Sequence, residues 1–172
     1  MLNLGKGKTH DLVCFGSDSP LRAVASHFEI SESHIFLEFR LSGSFEDLNI
    51  IKQKGAVGRK DNLWENTCLE LFLLNSQTGE YIEINISPWG DWNCYLFSCY
   101  RKDMRAYNLG APWVKKVGNL GWKLTIDRPH FSFDKINIAA VLKYRSGTKE
   151  YWALSHPGSQ PDFHNESAFL WL

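Results

Sequence analysis

Apolar residues recur at every second position through several short runs, and that spacing is the strongest constraint on how this chain can fold. His34 to Leu41 places Ile35, Leu37, Phe39 and Leu41 on one face and His34, Phe36, Glu38 and Arg40 on the other. Cys68 to Asn75 puts Leu69, Leu71 and Leu73 opposite Cys68, Glu70 and Phe72. Tyr81 to Ser87 sets Ile82, Ile84 and Ile86 against Tyr81, Glu83, Asn85 and Ser87. The link Ser76-Gln77-Thr78-Gly79 is rich in turn formers, so the last two runs are expected to form a hairpin. Further strands are expected at Leu12–Phe15, Leu21–Ile30, Asn93–Tyr100, Gly121–Asp127, Asn137–Tyr144 and Glu150–Leu154, with Pro129–Lys135 a loop or a single helical turn. No long window carries the 3.6-residue period of a surface helix. Short strands separated by Gly, Asn and Pro turns predict an all-β, antiparallel two-sheet β-sandwich, jelly-roll-like, with residues 1–172 as one domain.

Charge narrows the partners. Lys plus Arg and Asp plus Glu are 19 each in 172 residues, so no basic excess favours nucleic acid. No run of about 18 apolar residues marks a membrane span. Residues Met1 to Lys8 lack the apolar stretch of an export signal, which points to a cytoplasmic protein. Cys14, Cys68, Cys94 and Cys99 are then expected as free and mostly buried thiols. No close cysteine pair has metal-ligand spacing, so neither metal nor cofactor is expected. His156, His164 and Asp162 sit close in sequence, but their spacing matches no standard zinc motif and fits loop-tying hydrogen bonds better.

The second faces of the strands are unusual for solvated sheet surface. They offer Phe36, Glu38, Arg40, Glu70, Phe72, Tyr81, Glu83, Asn85 and Tyr95. Carboxylates, an amide, a guanidinium and flat rings equip a groove for a polyhydroxylated ligand: polar groups fix hydroxyl directions and rings cover the C–H faces. The competing account is a structural ion-pair network in which Arg40 or Arg101 neutralises Glu70 or Glu83.

Several of these stretches resemble a known family. The run Asn62 to Phe72, then Glu83, Asn85, Ser87, Pro88, Gly90, Trp92, Tyr95 and Phe97, then Tyr100, Arg101 and Met104, is similar to DOMON-like domains. These are related to the family 9 carbohydrate-binding modules. The closing Trp152-Ala153-Leu154 and Pro161-Asp162-Phe163-His164 resembles the end of small stand-alone members, many of them bacterial. The resemblance spans roughly residues 12–170 and implies a β-sandwich with a shallow ligand site on one sheet face.

From the residues and the resemblance together, a non-catalytic binding module for a small carbohydrate or sugar-like ligand is expected. Trp64, Glu70, Glu83, Asn85 and Arg101 are its candidate ligand-binding residues, and Arg40, Trp92, Tyr95, Trp152 and His164 are further candidates. The chain lacks an acidic cluster matching the structural calcium site of some sugar-binding relatives. Three alternatives remain. One is a glycoside hydrolase using Glu70 and Glu83 as paired carboxyls. Another is a haem-binding domain, as in one branch of the family, with Met104 and either His156 or His164 as axial ligands. The third is a protein-interaction module without a small ligand.

Overall fold

A computed structural model describes residues 7–16, 19–50 and 55–172; the sequence reading of residues 1–6 lies outside them. Three strands open the chain: β1 (Lys8–Cys14), β2 (Leu21–Ile30) and β3 (His34–Gly43). Then come β4 (Cys68–Leu74), β5 (Tyr81–Ile86), β6 (Trp92–Phe97), β7 (Arg105–Ala106), β8 (Trp113–Val117) and β9 (Gly121–Asp127). The chain ends with β10 (Lys135–Lys143), β11 (Lys149–Ala153) and β12 (Leu170–Trp171). Two short 3-10 turns, Leu63–Glu65 and Glu166–Ala168, are the helical elements among the described residues. None is long or apolar enough to cross a membrane.

The strands form one curled antiparallel sheet in the order β7-β6-β5-β4-β10-β11-β1-β2-β3-β9-β8. β12 pairs with β10 at Lys135 and Ile136, beyond the part of β10 that pairs with β11. The strands expected in two sheets lie on one hydrogen-bonded path, and β1 joins its two halves. Its residues Lys8 to Leu12 pair with β2, while Val13 and Cys14 pair with Ala153 and Trp152 of β11.

Alternation decides which face each residue takes. Ile35, Leu37, Phe39 and Leu41 of β3, Trp122, Leu124 and Ile126 of β9, Leu69, Leu71 and Leu73 of β4 and the isoleucines of β5 join one buried cluster. Truncating such a side chain to alanine typically costs about 2–5 kcal/mol. Across β4, β5, β6, β10 and β11 the opposite face is buried as well. A second cluster there contains Cys68, Phe72, Tyr81, Tyr95, Phe97, Val141 and Phe163. These strands are thus covered on both sides, which is why β4 and β5 have no exposed residue at all.

The short or charged strands were not legible. β8 reads Trp-Val-Lys-Lys-Val and is almost wholly exposed. It is an edge strand, and lysines there discourage pairing with another chain. β6 ends at Phe97, so Cys99 lies in the following turn and is exposed, contrary to a mostly buried set; Cys14 is half-buried, and Cys68 and Cys94 are buried. None of the four forms a disulfide.

Candidate functional site

The second face of β4 and β5 carries three polar side chains almost sealed from water: Glu70 is 3% exposed, Glu83 5% and Asn85 0%. Strand register brings them together. Glu70 sits opposite Asn85, and Phe72 sits opposite Glu83, so the two glutamates are diagonal neighbours across the β4–β5 pair. On its other side Glu70 is opposite Ala139 of β10, which is in turn opposite Ala153 of β11. Alanines at those two positions leave depth above the sheet.

A cleft of about 470 Å³ opens there. Glu70, Glu83 and Val141 contribute from the sheet, and Phe97, Lys149 and Tyr151 from neighbouring strands. Three loops close over them: the 3-10 turn supplies Trp64, the turn after β6 supplies Arg101 and Met104, and the loop after β11 supplies Pro161, Phe163 and His164.

Each loop residue has a reason for its place. Trp64 meets Tyr95 edge-on at 5.9 Å, and its carbonyl accepts from Lys149 Nζ at 3.3 Å. Arg101 occupies the left-handed region with φ 54°, an unfavourable conformation for a side chain with a Cβ. It is held there from both ends. Its backbone N–H donates to the Tyr81 hydroxyl at 3.1 Å, and its guanidinium meets Asp162 Oδ1 at 2.8 Å. Asp162 also accepts from the Tyr100 hydroxyl at 2.6 Å; these partners hold its carboxyl below the usual range despite partial burial.

His164 is fixed in the same way. The Tyr81 hydroxyl, which accepts from Arg101, also hydrogen-bonds His164 Nδ1 at 2.7 Å. The imidazole Nε2 faces Glu83 Oε2 at 3.8 Å, too far for a good hydrogen bond. Phe72, Tyr81 and Phe97 surround the imidazole edge-on. Burial, then the Arg101 charge, pushes its pKa down to about 4, so the ring is neutral.

The glutamates are pushed the other way. Glu83 rises to about 7 because of burial, against the Asn85 amide that donates to its Oε1 at 2.7 Å. Glu70 is raised well above the ordinary carboxylate range, first by burial and then by Glu83. Its Oε1 has no hydrogen-bond partner. A buried acceptor left unpaired is costly, about 1–3 kcal/mol, and this one belongs to a residue that lines the cleft.

Trp64, Glu70, Glu83, Arg101 and His164 all line this cleft, while Asn85 lies beneath and orients Glu83. The other sequence candidates are elsewhere. Tyr95 lies under Trp64, with its hydroxyl donating to Asp61 Oδ1 at 2.7 Å. Trp92 and Trp152 point into the main core, one residue out of phase with Asn93 and Tyr151. Arg59 covers the Trp92 ring at 4.3 Å, and the Trp152 indole donates to Glu150. Arg40 belongs to the far half of the sheet, where it pairs with Glu38 at 2.7 Å beside a separate hollow of about 230 Å³. The expected neutralisation of Glu70 or Glu83 by Arg40 or Arg101 is thus replaced by Arg40–Glu38 and Arg101–Asp162 pairs. Phe97, Lys149, Tyr151 and Phe163 are lining residues the sequence reading did not assign to the site. Alternation from Tyr95 and from Trp152 was the available signal for two of them.

The haem ligands do not fit. Met104 and His164 share the cleft, but Nδ1 of His164 is bonded to Tyr81 and its Nε2 faces Glu83. His156 binds the Val13 carbonyl instead. Among the described residues no three His, Cys, Asp or Glu side chains gather as a metal site. A hollow of about 700 Å³, with Cys14, Ser19, Asp47, Tyr144 and Glu150 in its lining, is larger.

No protein-family model and no curated protein matches this chain. Among solved structures, it is similar to one titled a "putative carbohydrate-binding protein" from Bacteroides uniformis ATCC 8492. That match has a TM-score of 0.65 at 14% identity and covers 94% of this chain and 84% of the other. It establishes a shared fold.

Proposed function

We propose that this chain is a non-catalytic binding module that holds a small carbohydrate or sugar-like ligand in the cleft above Glu70 and Glu83. The observation that carries the reading is a pair of buried carboxyls, Glu70 and Glu83, in the lining of one cleft, with Glu70 Oε1 lacking a hydrogen-bond partner. A ligand hydroxyl is the kind of donor that would satisfy it. Glu83, oriented by Asn85, and Arg101, oriented by Asp162, supply further fixed polar groups, and Trp64 at the rim offers a ring for the sugar's C–H face. The Bacteroides uniformis protein with the same fold bears a carbohydrate-binding name, which supports a binding role over a catalytic one. On this reading the two halves of the curled sheet act as layers of a DOMON-like β-sandwich; the core cluster they share supports it.

The test is a glycan array followed by calorimetry on each hit. Glu83→Gln keeps the shape and should weaken binding about tenfold or more, as for loss of a charged hydrogen bond. It should do so with little change in melting temperature. Silence across the array, with E83Q altering only stability, would make the acid pair structural and sink the proposal. Release of new reducing ends from a bound sugar would instead make the protein a hydrolase.

A further inference from the structure

The charges around the cleft do not cancel where they are buried. Glu70 and Glu83 are the deep acids, and neither forms an ion pair with Lys or Arg among the described residues. The two nearby cations are already engaged. Arg101 is held by Asp162 at 2.8 Å, and Lys149 donates to the Trp64 carbonyl at 3.3 Å. His164, the closest basic group to Glu83, has its Nδ1 taken by Tyr81 and stands off at 3.8 Å. The site therefore contains two adjacent carboxyls, one buried oxygen without a hydrogen-bond donor, and, among the described residues, no Lys or Arg in contact with either, Arg101 and Lys149 acting on them only from a distance.

We infer that the ligand brings the missing cation: an amino sugar, or a comparable polyhydroxylated amine, whose ammonium sits against the Glu70 and Glu83 carboxyls. This rests on the carbohydrate reading above. An ammonium has three donors, enough to serve Glu70 Oε1 and the side of Glu83 turned away from Asn85. A neutral hydroxyl supplies a donor but no charge, so the acids must then stay protonated or repel each other. The aromatic surroundings agree, since Trp64, Phe97, Tyr151 and Phe163 line the same cleft and ring faces attract cations.

Matched sugars separate the possibilities. Glucosamine and galactosamine are compared by calorimetry with their N-acetylated forms and with glucose and galactose, near neutral pH and at low and high salt. The free amines should bind about tenfold tighter or better than both neutral counterparts. Glu70→Gln and Glu83→Gln should each erase that preference, so that amine and neutral sugars bind the same variant with equal affinity. Circular dichroism checks that each variant folds, and if E70Q does not, E83Q carries the comparison. Neutral sugars binding as well as the amines would overturn the inference and leave the carbohydrate reading standing. Amine preference surviving in the folded variants would overturn it too, because the cation would lie elsewhere. Absence of binding by every sugar in the set and on the wider array would overturn both readings.

Discussion

The side-chain amide of Asn85 donates to Glu83 Oε1 across 2.7 Å, both residues standing on the same face of β5. Asn85 also accepts from the Cys68 thiol through its other side-chain atom at 3.7 Å. The amide is wholly buried, so its orientation is set by these two partners.

Replacing Asn85 with leucine should destabilise the protein by about 2–3 kcal/mol, because the Glu83 carboxyl and the Cys68 thiol lose their partner while staying buried. The double variant N85L/E83L should be less destabilised than the sum of N85L and E83L, since the orphaned carboxyl goes with its donor. Urea unfolding of the three variants measures the coupling; strict additivity would mean that the pair does not interact.

Glu83 makes stability fall as pH rises. Its folded pKa of about 7 lies above its ordinary value of 4.5, so between the two the folded chain keeps a proton the unfolded chain has released. Glu70, raised by the same burial, adds to the fall. His164 acts oppositely: held at about 4 against an ordinary 6.5, it makes stability drop as pH falls through that window. The polar and titratable groups near Glu83 are Glu70 and Cys68 on β4, Asn85 and Tyr81 on its own strand, Cys94 and Tyr95 on β6, and Arg101 and His164 from the loops. Unfolding free energies measured across this range should show the decline shrinking in E83Q. An unchanged slope in E83Q would assign the decline to other groups.

Arg101→Gly isolates backbone strain from side-chain use. Glycine relieves a left-handed conformation worth about 1–2 kcal/mol, against an exposed ion pair worth about 0–1 kcal/mol and the extra freedom of glycine in the unfolded chain. The melting temperature should therefore change by only a few degrees, while affinity for any sugar hit drops. A large loss of stability would mean that the Arg101–Asp162 pair holds the loop rather than the ligand.

Thiol reactivity should follow burial and compartment. In the native protein Cys99 should react first and Cys14 more slowly, its thiol pushed up to about 11 by burial. Cys68 and Cys94 should appear only on unfolding; burial raises Cys94 to about 12. A count of four in denaturant without reductant would support the cytoplasmic proposal, and a count of zero would argue for an oxidising compartment.

The strands that bury a full alternating face were legible from sequence: β2 and β9 occupy the predicted spans, and β3, β4 and β5 nearly so. So was the company of Glu70, Glu83 and Asn85, because parity and one hairpin register suffice to gather them. What escaped depends on contacts far apart in the chain. Nothing in Arg101 itself says that Asp162 will be nearer than the buried glutamates, whereas alternation already set Glu38 beside Arg40 on one strand face. Trp92 and Trp152 looked like ligand platforms by type, yet a shift of one residue turns a strand side chain from the cleft to the core. The single sheet path was hidden for a related reason: seven residues of β1 are shared between two neighbours, and period-two text cannot show a strand changing partners.

That shared strand also sets an order of events during synthesis. β1 leaves the ribosome first and can pair with β2 almost at once, through Lys8 to Leu12. Val13 and Cys14 must wait for Ala153 and Trp152, and the Phe15 amide for the Tyr151 carbonyl. Until then the far half of the sheet has an open edge, and the floor of the cleft lacks its outer strand. Tyr151 and Lys149 reach the cleft on the same strand that pairs with β1, so a nascent chain completes that wall of the cleft and the β1–β11 seam together.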